Sequence, residues 1–250
     1  SSTDKYNELL AVAAENKSLW LGNTTVGAGL PINYAINDFI NSGDQIHEIS
    51  GIFSGTLSWL FETYDGSVAF STLLLDALSQ GITEPDPRED LSGRDVQRKL
   101  LILARMAGFE LSLDDIDCQN LVPESLQSLS VEGFLAKAEQ LDSYFAEQLA
   151  EASAKQACIR YIAKFAVGEQ GNLTAKVYLA VLPNNDAFAS LTPCDNIFQI
   201  KSLWYQDNPL IIRGPGAGRD VTAGGLHSDL VSICQQLAGK KHQVKIKGLS

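Results

Sequence analysis

ALSQGITEPDPREDLSGRDVQRK, residues 77–99, packs five carboxylates, two prolines, two glycines and one lysine into a short stretch. Charges this dense, broken by residues that interrupt backbone hydrogen bonding, are not the pattern of a plain solvated helix. The stretch reads as a turn followed by a helix start, with Asp95 and Lys99 one helical turn apart. From Gly93 the helix RDVQRKLLILARMAG carries apolar positions at Val96, Leu100, Leu101 and Leu103 and stops at Gly108. Its charged start is therefore anchored by a buried end. Two uses fit Glu84, Asp90, Asp95 and Lys99. One is a small polar pocket in which carboxylates bind an ammonium group and the lysine moves a proton. The other is a surface helix with an i,i+4 Asp–Lys pair contributing about 0.2–0.5 kcal/mol.

Working outward, residues 6–16 read as an amphipathic helix with Leu9, Leu10, Val12 and Ala13 on its apolar side. SLWLGNTTV (18–26) reads as a short strand broken by VGAGLP (26–31). Pro31 opens a helix over INYAINDFI that Gly43 ends. IHEISGIF (46–53) alternates as a strand, LSWLFETY (57–64) is helical, and a further helix runs from Ser71 to Gly81. Residues 110–129 are loop-rich and acidic, and residues 131–155 form one long helix with Leu135, Leu141, Phe145 and Leu149 on one side. The texture then changes. Residues 159–167, 173–182, 196–205 and 209–212 are strands rich in Val, Ile and aromatics, and 220–237 closes as a helix. A run of helices followed by a run of strands predicts an α+β fold, helices packed on a mixed or antiparallel sheet.

The 250 residues suit one large domain or two small ones, and 45% hydrophobic with 20% charged residues is ordinary globular composition. A net charge of −11 argues against nucleic acid and anionic membranes as partners, because phosphate contacts need clustered Lys and Arg. The one basic cluster, Lys240, Lys241, His242, Lys245 and Lys247, reads as a solvated tail. Cys118, Cys158, Cys194 and Cys234 are isolated, so no C-x-x-C or zinc pattern exists, and a reducing, cytoplasmic setting is expected. No apolar run is long enough to span a bilayer and the first residues are not a signal peptide. His47, His227 and His242 have no Ser, Cys or carboxylate at a telling spacing, which argues against a triad or a histidine metal site.

Three further segments hold glycine or hydroxyl groups where a ligand could approach. VGAGL (26–30) is either a tight strand-to-helix turn or a loop whose carbonyls face a cation. Ser54, Gly55 and Thr56 begin a helix, and either cap it or bind an anion at its N-terminus. GPGAG (214–218) is a glycine turn or a cofactor contact; it lacks the last glycine of G-x-G-x-x-G and falls late in the chain, so it is a weak dinucleotide fingerprint.

The pattern A-x-x-x-G-I-T-E-P-D-P-x-x-D-L-x-G-x-D-x-x-x-K within residues 77–99 resembles the signature of homoserine dehydrogenases, which interconvert aspartate semialdehyde and homoserine with NAD(P). TTVGAGLPI (24–32), ISGIFSGTLSWLF (49–61), TPCDNIF (192–198) and RGPGAGRDVTAGG (213–225) resemble further segments of that family, in its order and along nearly the whole chain. The likeness extends to the dehydrogenase half of bifunctional aspartokinase–homoserine dehydrogenases of the methionine-pathway type. It implies that Lys99 is the acid–base residue. Glu84 and Asp95 would bind the substrate ammonium or order water beside it, Asp90 would lie in the same substrate-binding pocket, and Gly55 and Thr56 would contact the substrate carboxylate. Gly218 would meet the NAD or NADP cofactor. A sodium ion would sit on the carbonyls of Val26, Ala28 and Leu30 with help from residue 23. The family carries an acid at that last position; Asn23 here offers an oxygen without the charge.

The resemblance also implies an organisation: residues 1–28 as a remnant of a Rossmann-like nucleotide-binding domain, 29–168 as the substrate-binding and catalytic region, 169–217 as sheet and dimerisation region, and 218–250 as a helix returning to the nucleotide-binding domain plus a tail. On this reading the chain starts after the glycine-loop unit that grips the dinucleotide. It is then expected to be part of a larger polypeptide, with an aspartokinase domain covalently linked, to form a homodimer or higher oligomer, and to be inactive alone. The competing expectation is a non-catalytic amino-acid-binding regulatory or dimerisation module that keeps the pocket without the chemistry.

Overall fold

The computed structural model describes residues 3–168 and 170–238; the basic tail, with His242, lies outside the described residues. In chain order the first elements are α1 (Thr3–Glu15), α2 (Ile32–Ser42), β1 (Ile46–Ile52), α3 (Gly55–Thr63) and α4 (Phe70–Ser79). Then come α5 (Pro87–Leu91), α6 (Arg94–Met106), β2 (Asp117–Cys118), α7 (Glu124–Gln127), α8 (Val131–Leu135) and α9 (Asp142–Ala154). The last are β3 (Ala157–Val167), β4 (Leu173–Pro183), β5 (Asp195–Ser202), β6 (Leu210–Pro215) and α10 (Arg219–Ala238). The strands form one sheet in the order β2-β4-β3-β1-β5-β6. Every pairing is antiparallel except that of β2 with β4, so the sheet is mixed, as the α+β reading expects.

β1 comes early in the chain yet lies at the centre, flanked by β3 and β5. Apolar β-branched residues on both sides make that position favourable, since a central strand is covered on both faces. On one face α3, α6 and α9 cover the sheet with an aromatic core of Phe53, Phe61, Phe70, Phe134, Phe145, Phe165 and Phe198, all nearly inaccessible. A smaller cluster of Ile52, Ile162, Phe188, Leu191 and Ile197 forms apart from it. Two buried charges of the sheet are paired: Arg160 meets Glu62 at 2.8 Å, and Glu48 on β1 meets Lys164 of β3 at 2.8 Å and Lys201 of β5 at 3.4 Å.

Four local expectations change. Residues 18–26 are not a strand. Asn23–Thr25 form a 3-10 turn because Asn23 donates its backbone N–H to Asp229 and its side-chain amide to the Gly225 carbonyl of α10, bonds a ladder would otherwise take. The long helix over 131–155 is interrupted by a 3-10 turn at Ala138–Leu141, after which Asp142 turns its carboxylate to the Ser71 N–H and hydroxyl at the start of α4. The strand over 196–205 ends at Ser202, whose hydroxyl donates to buried Asp44, the carboxylate that also accepts from Trp204 N–H. Inside the acidic loop, Asp117 and Cys118 add a short parallel strand on β4.

The 77–99 stretch folds as read. Asp86 caps α5 by accepting from Arg88 N–H, and Pro87 takes the first helical turn, where no N–H is needed. Arg88 clamps Asp86 at 2.8 Å and the Leu129 carbonyl at 2.7 Å. Gly93 then turns the chain into α6 with φ 70°, and a Cβ there would fall 1.9 Å from the Tyr161 hydroxyl oxygen. Left-handed backbone and close approach both demand glycine. α6 buries Val96, Leu100, Leu101, Leu103 and Ala104, so its first turn is mounted on the core.

Candidate functional site

Four residues apart on α6, Lys99 and Asp95 form an ion pair at 2.7 Å, with the lysine side chain 21% exposed and the aspartate 59%. The difference separates this pair from an ordinary solvated one. Lys99 reaches inward and donates to the Phe53 backbone carbonyl at 3.0 Å, across 46 positions of sequence. Phe53 ends the β1 segment, and the next residues start α3: Ser54 caps the helix by accepting from Leu57 N–H, and the Thr56 hydroxyl donates to the Ile82 carbonyl at 2.8 Å. The N-terminus of α3 is thus tied to the beginning of the charged stretch. Gly55 lies under the Cys194 carbonyl, 3.2 Å from where a Cβ would stand.

Asp90 occupies the same neighbourhood. Its carboxylate accepts the Glu84 backbone N–H at 2.9 Å, closing a ring between the Ile-Thr-Glu turn and α5. Burial pushes the Asp90 carboxyl above its ordinary value, opposed by the Glu84 N–H and the Thr56 hydroxyl; the negative charges of Glu84 and Asp95 push it up further. The ionised charges acting on Asp90 are therefore anionic. Such a site favours a cation. The side chain of Glu84 is exposed and its backbone, not its carboxylate, makes the structural bond.

Lys99 also lines an open cleft of ≈ 680 Å³ whose other walls include Gly27, Ala28, Gly216, Gly218 and Arg219. The cleft brings together Lys99, Ala28 of the 26–30 loop and Gly218, three positions scattered across the sequence. Gly218 has φ 137°, a conformation that L side chains rarely adopt. Backbone without side chains on one wall leaves room for a flat, polar cofactor to approach closely.

The remaining expected residues sit beside this cleft. Val26 is buried. Asn23 and Leu30 line a neighbouring cleft of ≈ 410 Å³ with Pro31, Pro215 and Val221. Asn23 is buried and its Oδ1 has no hydrogen-bond partner among the described residues, an oxygen available to a cation, whereas the Leu30 carbonyl already accepts from Ile32 N–H at 2.9 Å. The donors fit a sodium ion in part. Among the described residues no group of three or more His, Cys, Asp or Glu could hold a metal, and no helix is long and apolar enough to cross a membrane. All four cysteines are free.

Sequence reasoning missed the Phe53 carbonyl and Asn196. A carbonyl has no sequence signal. Asn196 does have one, a polar residue followed by an apolar run in DNIFQI, and it is fully buried on β5 with its side-chain N–H₂ on that same Phe53 carbonyl at 3.3 Å.

The profile of the family described as homoserine dehydrogenase matches residues 31–231. The chain is 48% identical over 237 residues to bifunctional aspartokinase/homoserine dehydrogenase 2 of Escherichia coli (strain K12), which covers 95% of this chain and 29% of that protein. It is 39% identical over 248 residues to a homoserine dehydrogenase of Emericella nidulans, covering 95% of this chain and 67% of that protein. Among solved structures, a hyperthermophilic archaeal homoserine dehydrogenase in complex with NADPH superposes with a TM-score of 0.68 at 20% identity, over 94% of this chain and 61% of that one. The chain thus spans less than a third of the length of the bifunctional relative.

Proposed function

The chain belongs to the homoserine dehydrogenase family, and from that premise we propose that it forms the substrate-binding and dimerisation portion of an NAD(P)-dependent enzyme interconverting L-homoserine and L-aspartate 4-semialdehyde. The observation that carries this reading is Lys99, held between the Phe53 carbonyl and Asp95 at the wall of a cleft whose opposite wall is glycine-rich backbone. Asp90, half-buried and with only anionic charges acting on it among the described residues, supports it as the seat of the substrate ammonium.

In this proposal Asp90, with Asp95 and Glu84, holds the amino group, and Gly55 and Thr56 at the start of α3 face the carboxylate. Orientation by both charged ends brings the alcohol carbon into the cleft, which converts binding energy into rate. Lys99 Nζ exchanges the proton at the substrate oxygen, while its two anchors keep the amine from rotating out. A nicotinamide dinucleotide supplies the hydride chemistry when bound. Gly218 and the neighbouring backbone of the 216–219 loop would hold it, their lack of side chains allowing close approach. Asn23 Oδ1 and the carbonyls of Val26, Ala28 and Leu30 would serve a sodium ion; the uncharged amide and the engaged Leu30 carbonyl make that grip weak.

The regions divide accordingly: residues 29–168 bind substrate, 169–217 complete the sheet and dimerise, and 1–28 with 218–250 meet a nucleotide-binding domain. No stretch of the 250 residues reads as G-x-G-x-x-G, so the proposal assigns little turnover to them alone. The protein works in the cytoplasm, in threonine and methionine biosynthesis, with an aspartokinase domain covalently linked. The anionic surroundings of Asp90 would equally serve a second reading, an amino-acid-binding module without catalysis. NAD(P)H-linked turnover of homoserine by the full-length protein, with calorimetric titration of homoserine into the 250-residue chain, separates them. Homoserine binding with turnover in the full-length protein supports the enzyme; binding with none in either form supports the module.

A further inference from the structure

Three observations meet at Asn196. It is fully buried on β5, opposite Gly214 in the β5–β6 ladder. Its Nδ2 donates to the Phe53 carbonyl at 3.3 Å, the oxygen on which Lys99 Nζ rests at 3.0 Å. Its amide lies flat against Gly216: a Cβ at Gly216 would stand 2.1 Å from Asn196 Cγ, 2.2 Å from Oδ1 and 2.4 Å from Nδ2. Gly216 belongs to the glycine wall of the cleft that Lys99 faces. One side chain therefore touches the seat of the proton-moving lysine and the backbone of the facing wall.

The arrangement costs stability. Asn196 Oδ1 has no hydrogen-bond partner among the described residues, and a buried acceptor left unmet is destabilising where an apolar residue of similar size is not. Apolar packing alone does not call for an amide here. What asparagine adds is a donor to a carbonyl that already holds Lys99, and a thin planar face that lets the 216–218 loop descend.

We propose that Asn196 is a positioning residue that sets both walls of the cleft at once, fixing the Phe53 carbonyl as the rest for Lys99 and fixing the height of the loop at Gly216. Losing the donor frees the Phe53 peptide to turn, and Lys99 loses a fixed anchor. Thickening the loop at Gly216 lifts the opposite wall without disturbing Lys99. The two functions are separable, and they rest on the dehydrogenase reading above.

The test uses the full-length protein with Asn196→Leu, Asn196→Ala, Gly216→Ala and the double variant Gly216→Ala/Asn196→Ala. Asn196→Leu is expected to lower kcat on the order of 10-fold to 100-fold, with the homoserine KM changed by no more than about twofold. Gly216→Ala is expected to raise the dinucleotide KM. The double variant restores that KM, because the added methyl fills the space the amide leaves, while kcat stays low. A merely structural role gives no such split: every variant then loses activity in proportion to its melting temperature, and the double variant is worst. A second measurement needs no turnover. Amine-reactive footprinting read by mass spectrometry should show faster labelling of Lys99 in Asn196→Leu, with Lys164 and Lys201 unchanged. Unchanged Lys99 labelling with wild-type kcat overturns the proposal. If the parent protein does not turn over homoserine but the labelling shift appears, the dehydrogenase reading fails and the positioning role stands.

Discussion

Two partly buried carboxylates meet opposite surroundings. Glu48 lies in the middle of the sheet, and although burial alone would push its carboxyl up, the ammonium groups of Lys164 and Lys201 hold it below the ordinary value. Asp90 lies on α5 within the charged stretch, where burial and the negative charges of Glu84 and Asp95 push its carboxyl up. The sheet completes its electrostatics internally. On α5 no ion pair meets Asp90 among the described residues, while Lys99 of α6 goes to Asp95 and the Phe53 carbonyl. A partly buried carboxylate whose neighbouring charges are anionic favours a cationic group beside it, which is what the proposed ammonium-binding role of Asp90 requires.

The comparison breaks most visibly at Lys99. Lys99→Ala in the full-length protein is expected to lower turnover on the order of 10²–10⁴-fold with the far-ultraviolet circular dichroism unchanged, since the lysine contributes chemistry and little packing. Turnover within a few-fold of wild type would falsify the acid–base role. Asp90→Asn separates binding from folding. The homoserine KM should rise by about 10-fold or more, the equivalent of a charge-assisted hydrogen bond, while stability at pH 7 does not fall. The sign follows from the raised carboxyl: its contribution favours the fold at acid pH and is lost as pH rises through the folded-state value, so removing the charge removes that loss. Urea unfolding of both proteins across pH 4–8 checks it, and a less stable variant at pH 7 would contradict the assignment.

Glu48→Gln should do the reverse. Stability at pH 7 falls by about 1–3 kcal/mol because two lysines lose their partner, and kcat and KM stay near wild type. Glu48 has a depressed carboxyl, so its stabilisation is present above the ordinary carboxylate value and disappears as pH falls through the folded-state value. The Glu48→Gln variant should therefore converge with wild type in acid, which the same urea series reads. The smallest effect is expected at Tyr34, whose hydroxyl donates to Asp229 at 2.7 Å and helps hold α10 against the 23–25 turn. Tyr34→Phe should cost about 1 kcal/mol, seen as faster amide exchange within residues 219–238 and not elsewhere.

Much of the local structure around Lys99 was legible in the sequence because it is set by near neighbours. Asp86, Pro87 and Gly93 announce a cap, a first turn and a left-handed residue, and the spacing of Val96, Leu100 and Leu103 orients α6 so that Asp95 and Lys99 share a side. The strand at 18–26 failed for the opposite reason. Its apolar-polar pattern is real, but Asn23 is claimed by Gly225 and Asp229, about two hundred positions away, and no periodicity reports such a contact. The helix over 131–155 shows a milder case: of its expected apolar side Leu141 and Phe145 are buried, Leu135 and Leu149 are only partly so, Phe134 is buried instead, and a 3-10 turn at Ala138–Leu141 lets Asp142 reach Ser71.

By itself the sequence determined which residues carry charge, where helices start and stop, and that an α+β fold with a homoserine dehydrogenase signature results. Only the tertiary structure decided that β1 lies at the centre of the sheet, that the Phe53 carbonyl receives both Lys99 and Asn196, and that Gly216 can approach only because the Asn196 amide is flat. Caps and periodicity act between neighbours within a turn or two of chain. The cleft is made by contacts between segments that meet only after the sheet has closed, and their geometry is set by packing, which no short stretch of sequence contains.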